Sequence, residues 1–122
     1  MNKGFTFGSF CLMPQQRLLL KGGCPVQIGS RAFDVLVVLI EHPGEIVGKR
    51  ELMARVWPST VVCEDNLFVQ ISFLRRVLRE GGARRCIVNV PGRGYLFVQP
   101  VDAYVEQTPL PRRQYESAAI AA

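Results

Sequence analysis

The sequence predicts an α+β domain, with a small antiparallel sheet at the amino terminus, three helices, and a closing β-hairpin. Three features carry this reading. The apolar period is two over residues 5–29, becomes 3.6 between Ser30 and Glu80, and returns to two on either side of Pro91-Gly92-Arg93-Gly94. With 122 residues, 48% of them hydrophobic and 20% charged, the chain has room for one main core and no second full domain.

The sheet comes first. Phe5, Phe7, Phe10 and Leu12 alternate with small residues before Pro14-Gln15-Gln16 interrupts the run. Arg17 to Lys21 and Val26 to Ile28 supply two more strands around Gly22-Gly23. At Ser30 a hydroxyl stands where a helix cap belongs, and Phe33, Leu36, Val37 and Ile40 follow at helical spacing up to His42-Pro43-Gly44. That helix is almost wholly apolar and belongs at the centre of the core. Lys49 to Trp57 forms a second helix, capped by Gly48 and ended by Pro58, with Leu52 and Val56 on one face. The third starts at Asp65 or Asn66, either of which can cap it, and runs to Glu80 before Gly81-Gly82.

At about 100° per residue, Leu67, Ile71, Leu74 and Leu78 share the inner face of this third helix, while Asp65, Val69, Ser72, Phe73 and Arg76 project outward. Two apolar residues on an outer face are unusual for a solvated helix. Ile87 to Val90 and Tyr95 to Val98 make the hairpin, which holds Arg93 between two glycines. From Asp102 to Ala122 the periodicity is lost, and the segment reads as a flexible tail or linker after a domain spanning residues 1–101.

Charge is concentrated in the domain. The whole chain carries +5, with a pI near 9.4, and between residues 75 and 93 six arginines face Glu80 alone. A surface of this kind favours a polyanion such as DNA, because neutralising phosphates releases counterions. The bland alternative is a set of solvated arginines favoured at a helix carboxy terminus by the macrodipole. A further cation on a glycine-flanked hairpin tip is not explained that way.

Other classes lack support. The longest apolar run, Val35 to Ile40, is six residues, where a membrane span needs roughly 20. No secretory h-region follows Met1, so the expected location is cytoplasmic. Cys11, Cys24, Cys63 and Cys86 form no CxxC pair and His42 is the only histidine, so neither a metal nor another cofactor is expected. The cysteines read as reduced thiols in small apolar sites. Cys63 before the third helix and Cys86 at the base of the hairpin leave a redox effect on binding open, although no Lys, Arg or His adjoins Cys63. No paired acid and base or phosphate-cradling loop points to an enzyme.

The order of elements, with Phe5-Thr6-Phe7-Gly8, Arg17-Leu18-Leu19-Leu20, Leu52-Met53-Ala54-Arg55-Val56-Trp57, Val69-Gln70-Ile71-Ser72-Phe73-Leu74-Arg75-Arg76 and Val90-Pro91-Gly92-Arg93-Gly94-Tyr95-Leu96-Phe97, resembles the winged helix-turn-helix domain of OmpR/PhoB-type transcriptional regulators. The resemblance implies sequence-specific binding of double-stranded DNA, with transcription regulation and phosphorelay signalling as the family's setting. The third helix would enter the major groove and the hairpin, as a wing, the adjacent minor groove. It places Asn66, Val69 and Phe73 at base-reading positions and Trp57, Gln70, Arg75 and Tyr95 at positions that usually touch phosphate. Ser72 stands where the family often has a basic or polar contact. Arg76 is added from the helical wheel, and Arg93 substitutes for a minor-groove arginine that some relatives carry at the position of Pro91.

Several side chains have two readings. Phe73, where the family often has arginine, either meets thymine methyls or covers apolar surface. Trp57 is either a core anchor or an indole N–H donor to phosphate from a half-buried ring, and Tyr95 packs under the wing with its hydroxyl outward. Asp65 avoids repelling phosphate if it serves as the cap. The alternative function is a protein-interaction module that docks a partner through Phe73, Val69 and the basic rim.

The family's response regulators place a receiver domain before the winged helix. Here the first strand opens at Phe5, so phosphoryl control within the chain is not expected, and the arrangement resembles CadC-type regulators, whose DNA-binding domain comes first. The expected partner is double-stranded DNA, with RNA polymerase as a further candidate and no small-molecule substrate. The resemblance also implies a monomer in solution that pairs head-to-tail on DNA.

Overall fold

The computed structural model describes residues 2–80 and 85–106. Its amino-terminal sheet contains β1 (Asn2–Phe7), β2 (Phe10–Met13), β3 (Leu18–Lys21) and β4 (Cys24–Pro25). The helices are α1 (Ser30–Glu41), α2 (Lys49–Val56) and α3 (Glu64–Glu80). The strands β5 (Ile87–Val90) and β6 (Gly94–Phe97) form the hairpin, and β7 (Asp102–Glu106) follows.

The sheet runs β4-β3-β2-β1-β7, all antiparallel. Its register sets Phe5 opposite Leu12 and Leu12 opposite Leu19, so the inward residues of three strands form one buried row. Phe7 stacks on Phe10 at 5.3 Å between ring centroids and meets Phe97 edge-on at 5.2 Å. That second contact joins the sheet to the hairpin through the core.

Two strand expectations change. The fourth strand is Cys24–Pro25 rather than Val26–Ile28, although the Val26 N–H still donates to the Leu19 carbonyl at 2.8 Å. Val26 and Ile28 instead lie half-buried against the core. Asp102 does not open a flexible tail: Asp102 to Glu106 pairs with β1 along five positions, from Thr6–Asp102 to Asn2–Glu106. Asp102-Ala103-Tyr104-Val105-Glu106 is short and lacks the polar–apolar alternation of a half-buried strand, so it gives only a weak strand signal beside the nearby prolines and alanines. The folded unit therefore extends past residue 101, and the rest of the expected tail, from residue 107, lies outside the described residues.

Helix α1 buries Ala32, Phe33, Val35, Leu36, Val38, Leu39 and Ile40 and packs against α2, α3 and β6. Its cap is Gly29, without a side-chain bond, and not Ser30. The Ser30 hydroxyl lies inside the helix and accepts a hydrogen bond from Arg17 at 3.0 Å. Arg17 also pairs with Asp34 at 2.8 Å and lies over the Phe33 ring, 4.8 Å from its centroid. These contacts hold Arg17 in a left-handed conformation, φ 53°, that costs a non-glycine residue about 1–2 kcal/mol.

His42 ends α1, its ring Nδ1 2.9 Å from the Val38 carbonyl, and Gly48 caps α2 as expected. Helix α2 stops at Val56, with Trp57 as its carboxy-terminal cap. Helix α3 starts earlier than either expected cap: Cys63 precedes it, and its carbonyl accepts from the Asn66 N–H at 3.1 Å. Asp65 is thus a first-turn residue beside Glu64, where both carboxylates complement the helix dipole.

Candidate nucleic-acid interface

Helix α3 presents its surface because its inner stripe is consumed by the core. Leu67, Ile71, Leu74 and Leu78 are buried against the rest of the molecule, so the remaining faces are fixed in rotation. Val69 is 61% exposed, and Asn66, Ser72, Arg75 and Arg76 are exposed with it. An apolar side chain held that far into water offers a surface for a thymine methyl. Gln70 is half-buried beside this face.

The hairpin is tied to the segment before α2 and to α3, and α2 is tied in turn to α3. Val47, just before α2, exchanges two main-chain hydrogen bonds with Tyr95, at 2.8 and 3.0 Å. Gly94 makes that approach possible: its φ of 146° disfavours any side chain, and a Cβ there would collide with the Val47 carbonyl. From the helix, Arg75 Nε donates to the Ile87 carbonyl of β5 at 3.2 Å. At the first turn of α2, Lys49 lies 3.8 Å from Glu64 of α3 and over the Phe68 ring, 5.3 Å from its centroid.

These links bring one flank of α3, carrying Glu64, Phe68 and Arg75, against the start of α2 and the hairpin. The tip turn closes through Arg93 N–H to the Val90 carbonyl at 3.0 Å and leaves Arg93 exposed. The main chain of Arg93 passes close to Gly48, so the tip sits beside the α2 amino terminus.

One expectation shifts. Tyr95 is 2% exposed; its ring packs under the wing, but the outward hydroxyl expected of it is not on the open surface. Burial pushes its pKa up, while neighbouring Arg75 pulls it down and Glu64 pushes it up. Phe73 is half-buried and packs against the core. Trp57 is likewise half-buried against the core.

Lys49 and Phe68 were missed. Phe68, 38% exposed, follows the buried Leu67 and falls between the inner and outer stripes, and Lys49 reads in sequence as no more than the first residue of a helix. Arg76, Arg79 and Arg85 are exposed, while Arg84 of the basic stretch lies outside the described residues. Cys63 is exposed and Cys86 buried, and burial raises the Cys86 thiol to about 11, so that it stays protonated near neutrality. Among the described residues no cluster of His, Cys, Asp and Glu could hold a metal, and no helix is long and apolar enough to cross a membrane.

Comparison with known proteins gives a consistent result. Residues 23–97 match the family model described as transcriptional regulatory protein, C terminal. Among curated relatives, the transcriptional regulator HilA of Salmonella typhimurium is 37% identical over 110 residues, 90% of this chain and 20% of that protein. The transcriptional activator CadC of Escherichia coli is 29% identical over 102 residues, 82% of this chain and 20% of that protein. The chain thus spans about a fifth of the length of these relatives. Among solved structures, the DNA-binding domain of E. coli CadC superposes with a TM-score of 0.74 at 28% identity, covering 83% of this chain and 96% of that one. The Klebsiella pneumoniae RstA DNA-binding domain, in complex with the RstA box, gives 0.65 at 28% identity, covering 78% and 96%.

Proposed function

Since the chain belongs to the family of carboxy-terminal domains of transcriptional regulatory proteins, we propose that it is a sequence-specific double-stranded DNA-binding domain of a bacterial transcriptional regulator. The observation that carries this is the coupling of α3 to the hairpin. Arg75 and the Val47–Tyr95 pair hold the exposed Val69, Ser72 and Arg76 and the exposed Arg93 on neighbouring elements. A helix of this width enters a major groove, and a cationic hairpin tip beside it suits the negative potential of a narrow minor groove.

Roles divide by exposure. Val69, Asn66 and Ser72 face base edges, Arg75, Arg76 and Gln70 neutralise or bond phosphates, and Arg93 enters the minor groove. Trp57, Phe73 and Tyr95 support these side chains from below. Glu64 and Asp65 stay near phosphate only at the expense of repulsion, which Lys49 reduces for Glu64.

The reading assigns no catalytic step. Pairing head-to-tail on repeated sites, contact with RNA polymerase and a cytoplasmic location are extensions of it. The protein-docking alternative loses an anchor, because Phe73 already packs against the core. Selection of duplexes from a random pool by the purified chain tests the proposal: a recurring motif with salt-dependent affinity is expected, and recovery of no motif would contradict it.

A further inference from the structure

Two acids open α3, and only the first has a partner. Glu64 meets Lys49 at 3.8 Å, whereas among the described residues no ion pair or hydrogen bond reaches the Asp65 carboxylate. The helix dipole favours an acid in this first turn but does not account for the direction in which it points. At about 100° per residue, Asp65 falls on one stripe with Val69, Ser72 and Arg76, which follow it by four, seven and eleven residues. That stripe is opposite the buried Leu67, Ile71, Leu74 and Leu78, and all four of its members are exposed.

A carboxylate among side chains that face base edges accepts hydrogen bonds and donates none. In the major groove guanine presents the acceptors N7 and O6, and thymine the acceptor O4, all of which it repels. Adenine presents its N6 amino group beside the acceptor N7, and cytosine presents the N4 amino group, so cytosine suits a carboxylate best. The charge sharpens the choice, because repulsion from phosphate weakens every complex in which Asp65 gains no base donor. In helix-turn-helix complexes the amino-terminal residues of the recognition helix are the ones that reach base edges, and Asp65 is the second residue of α3.

We propose that Asp65 is a specificity-determining residue, which accepts a hydrogen bond from the N4 amino group of one cytosine in the target site and disfavours the other bases there. The proposal rests on the DNA-binding reading and adds to it one fixed C·G pair.

The test is selection of duplexes from a random pool by the parent chain, by Asp65→Ala and by Asp65→Asn, followed by titration of the parent's motif and of versions altered at single base pairs. Asp65 is exposed and unpartnered among the described residues, so both variants should fold. The parent motif should contain a C·G pair that Asp65→Ala no longer selects while the other positions persist. Asp65→Asn should favour A·T there, since an amide both accepts from and donates to adenine. Replacing the C·G pair by T·A should weaken binding of the parent about tenfold and of Asp65→Ala by less than about twofold. An unrelated duplex should bind Asp65→Ala more tightly than the parent, the opposite of what loss of a merely structural residue would do. A motif shared position for position by all three chains would overturn the proposal and leave the DNA reading standing, whereas no motif from the parent would overturn both.

Discussion

Arg75 donates its Nε proton to the main-chain carbonyl of Ile87 across 3.2 Å, joining the helix proposed to read DNA to the first strand of the wing. One side chain therefore has two duties. It sets the distance between helix and hairpin, and its remaining N–H groups are available to an anion.

Arg75→Ala should lower duplex affinity by about tenfold and reduce the slope of log affinity against log salt by about one. Arg75→Lys should restore part of the slope, since the charge returns, but less of the affinity, since the guanidinium fork does not. Titrations at four salt concentrations would distinguish the two effects.

Gly94→Ala should destabilise the fold by roughly 2–4 kcal/mol, because the new methyl collides with the Val47 carbonyl in a strained backbone conformation. Gly92→Ala, with φ 73° but open space around it, should lose only about 1 kcal/mol. Urea denaturation of both variants measures the difference.

Stability should fall in alkali. The Cys86 thiol has a pKa raised from 9.0 to about 11 by burial, so the folded state holds its proton more tightly than the unfolded chain does. The resulting stabilisation is fully present below pH 9 and is lost as pH rises from 9 through 11, for a total of roughly 2–3 kcal/mol. Tyr95, also shifted upward by burial, acts in the same direction. Denaturation curves between pH 8 and 11 should show a shallower decline for Cys86→Ala than for the parent chain.

A chain ending at Val101 removes β7 and leaves β1 as an unpaired sheet edge. It should unfold at lower urea concentration than a chain ending at Glu106 and associate at high concentration through the exposed edge. Sedimentation and denaturation of the two lengths check both effects.

The helices were legible because strong periodicity survives without knowledge of partners. Leu67, Ile71, Leu74 and Leu78 mark one face whatever covers it, and all four are buried. The glycine-flanked hairpin was legible for a similar local reason. What escaped depended on long-range pairing: Asp102 to Glu106 becomes a strand only because β1 offers it an edge, and Ser30 cedes the cap position to Gly29 while its hydroxyl bonds the distant Arg17. Within the candidate site, exposure of Val69 and Arg93 followed from position alone. The burial of Tyr95 did not, since its strand is paired with Val47, a residue from a distant part of the chain.

The central claim is that helix and wing engage one duplex together. Amide chemical-shift mapping of the isotope-labelled chain with a duplex obtained by selection tests this most directly. Val69, Ser72 and Arg76 on α3 and Arg93 on the wing should shift together and saturate at the same ratio of duplex to chain. Perturbations confined to the amino-terminal sheet, or helix shifts with an undisturbed wing, would contradict it.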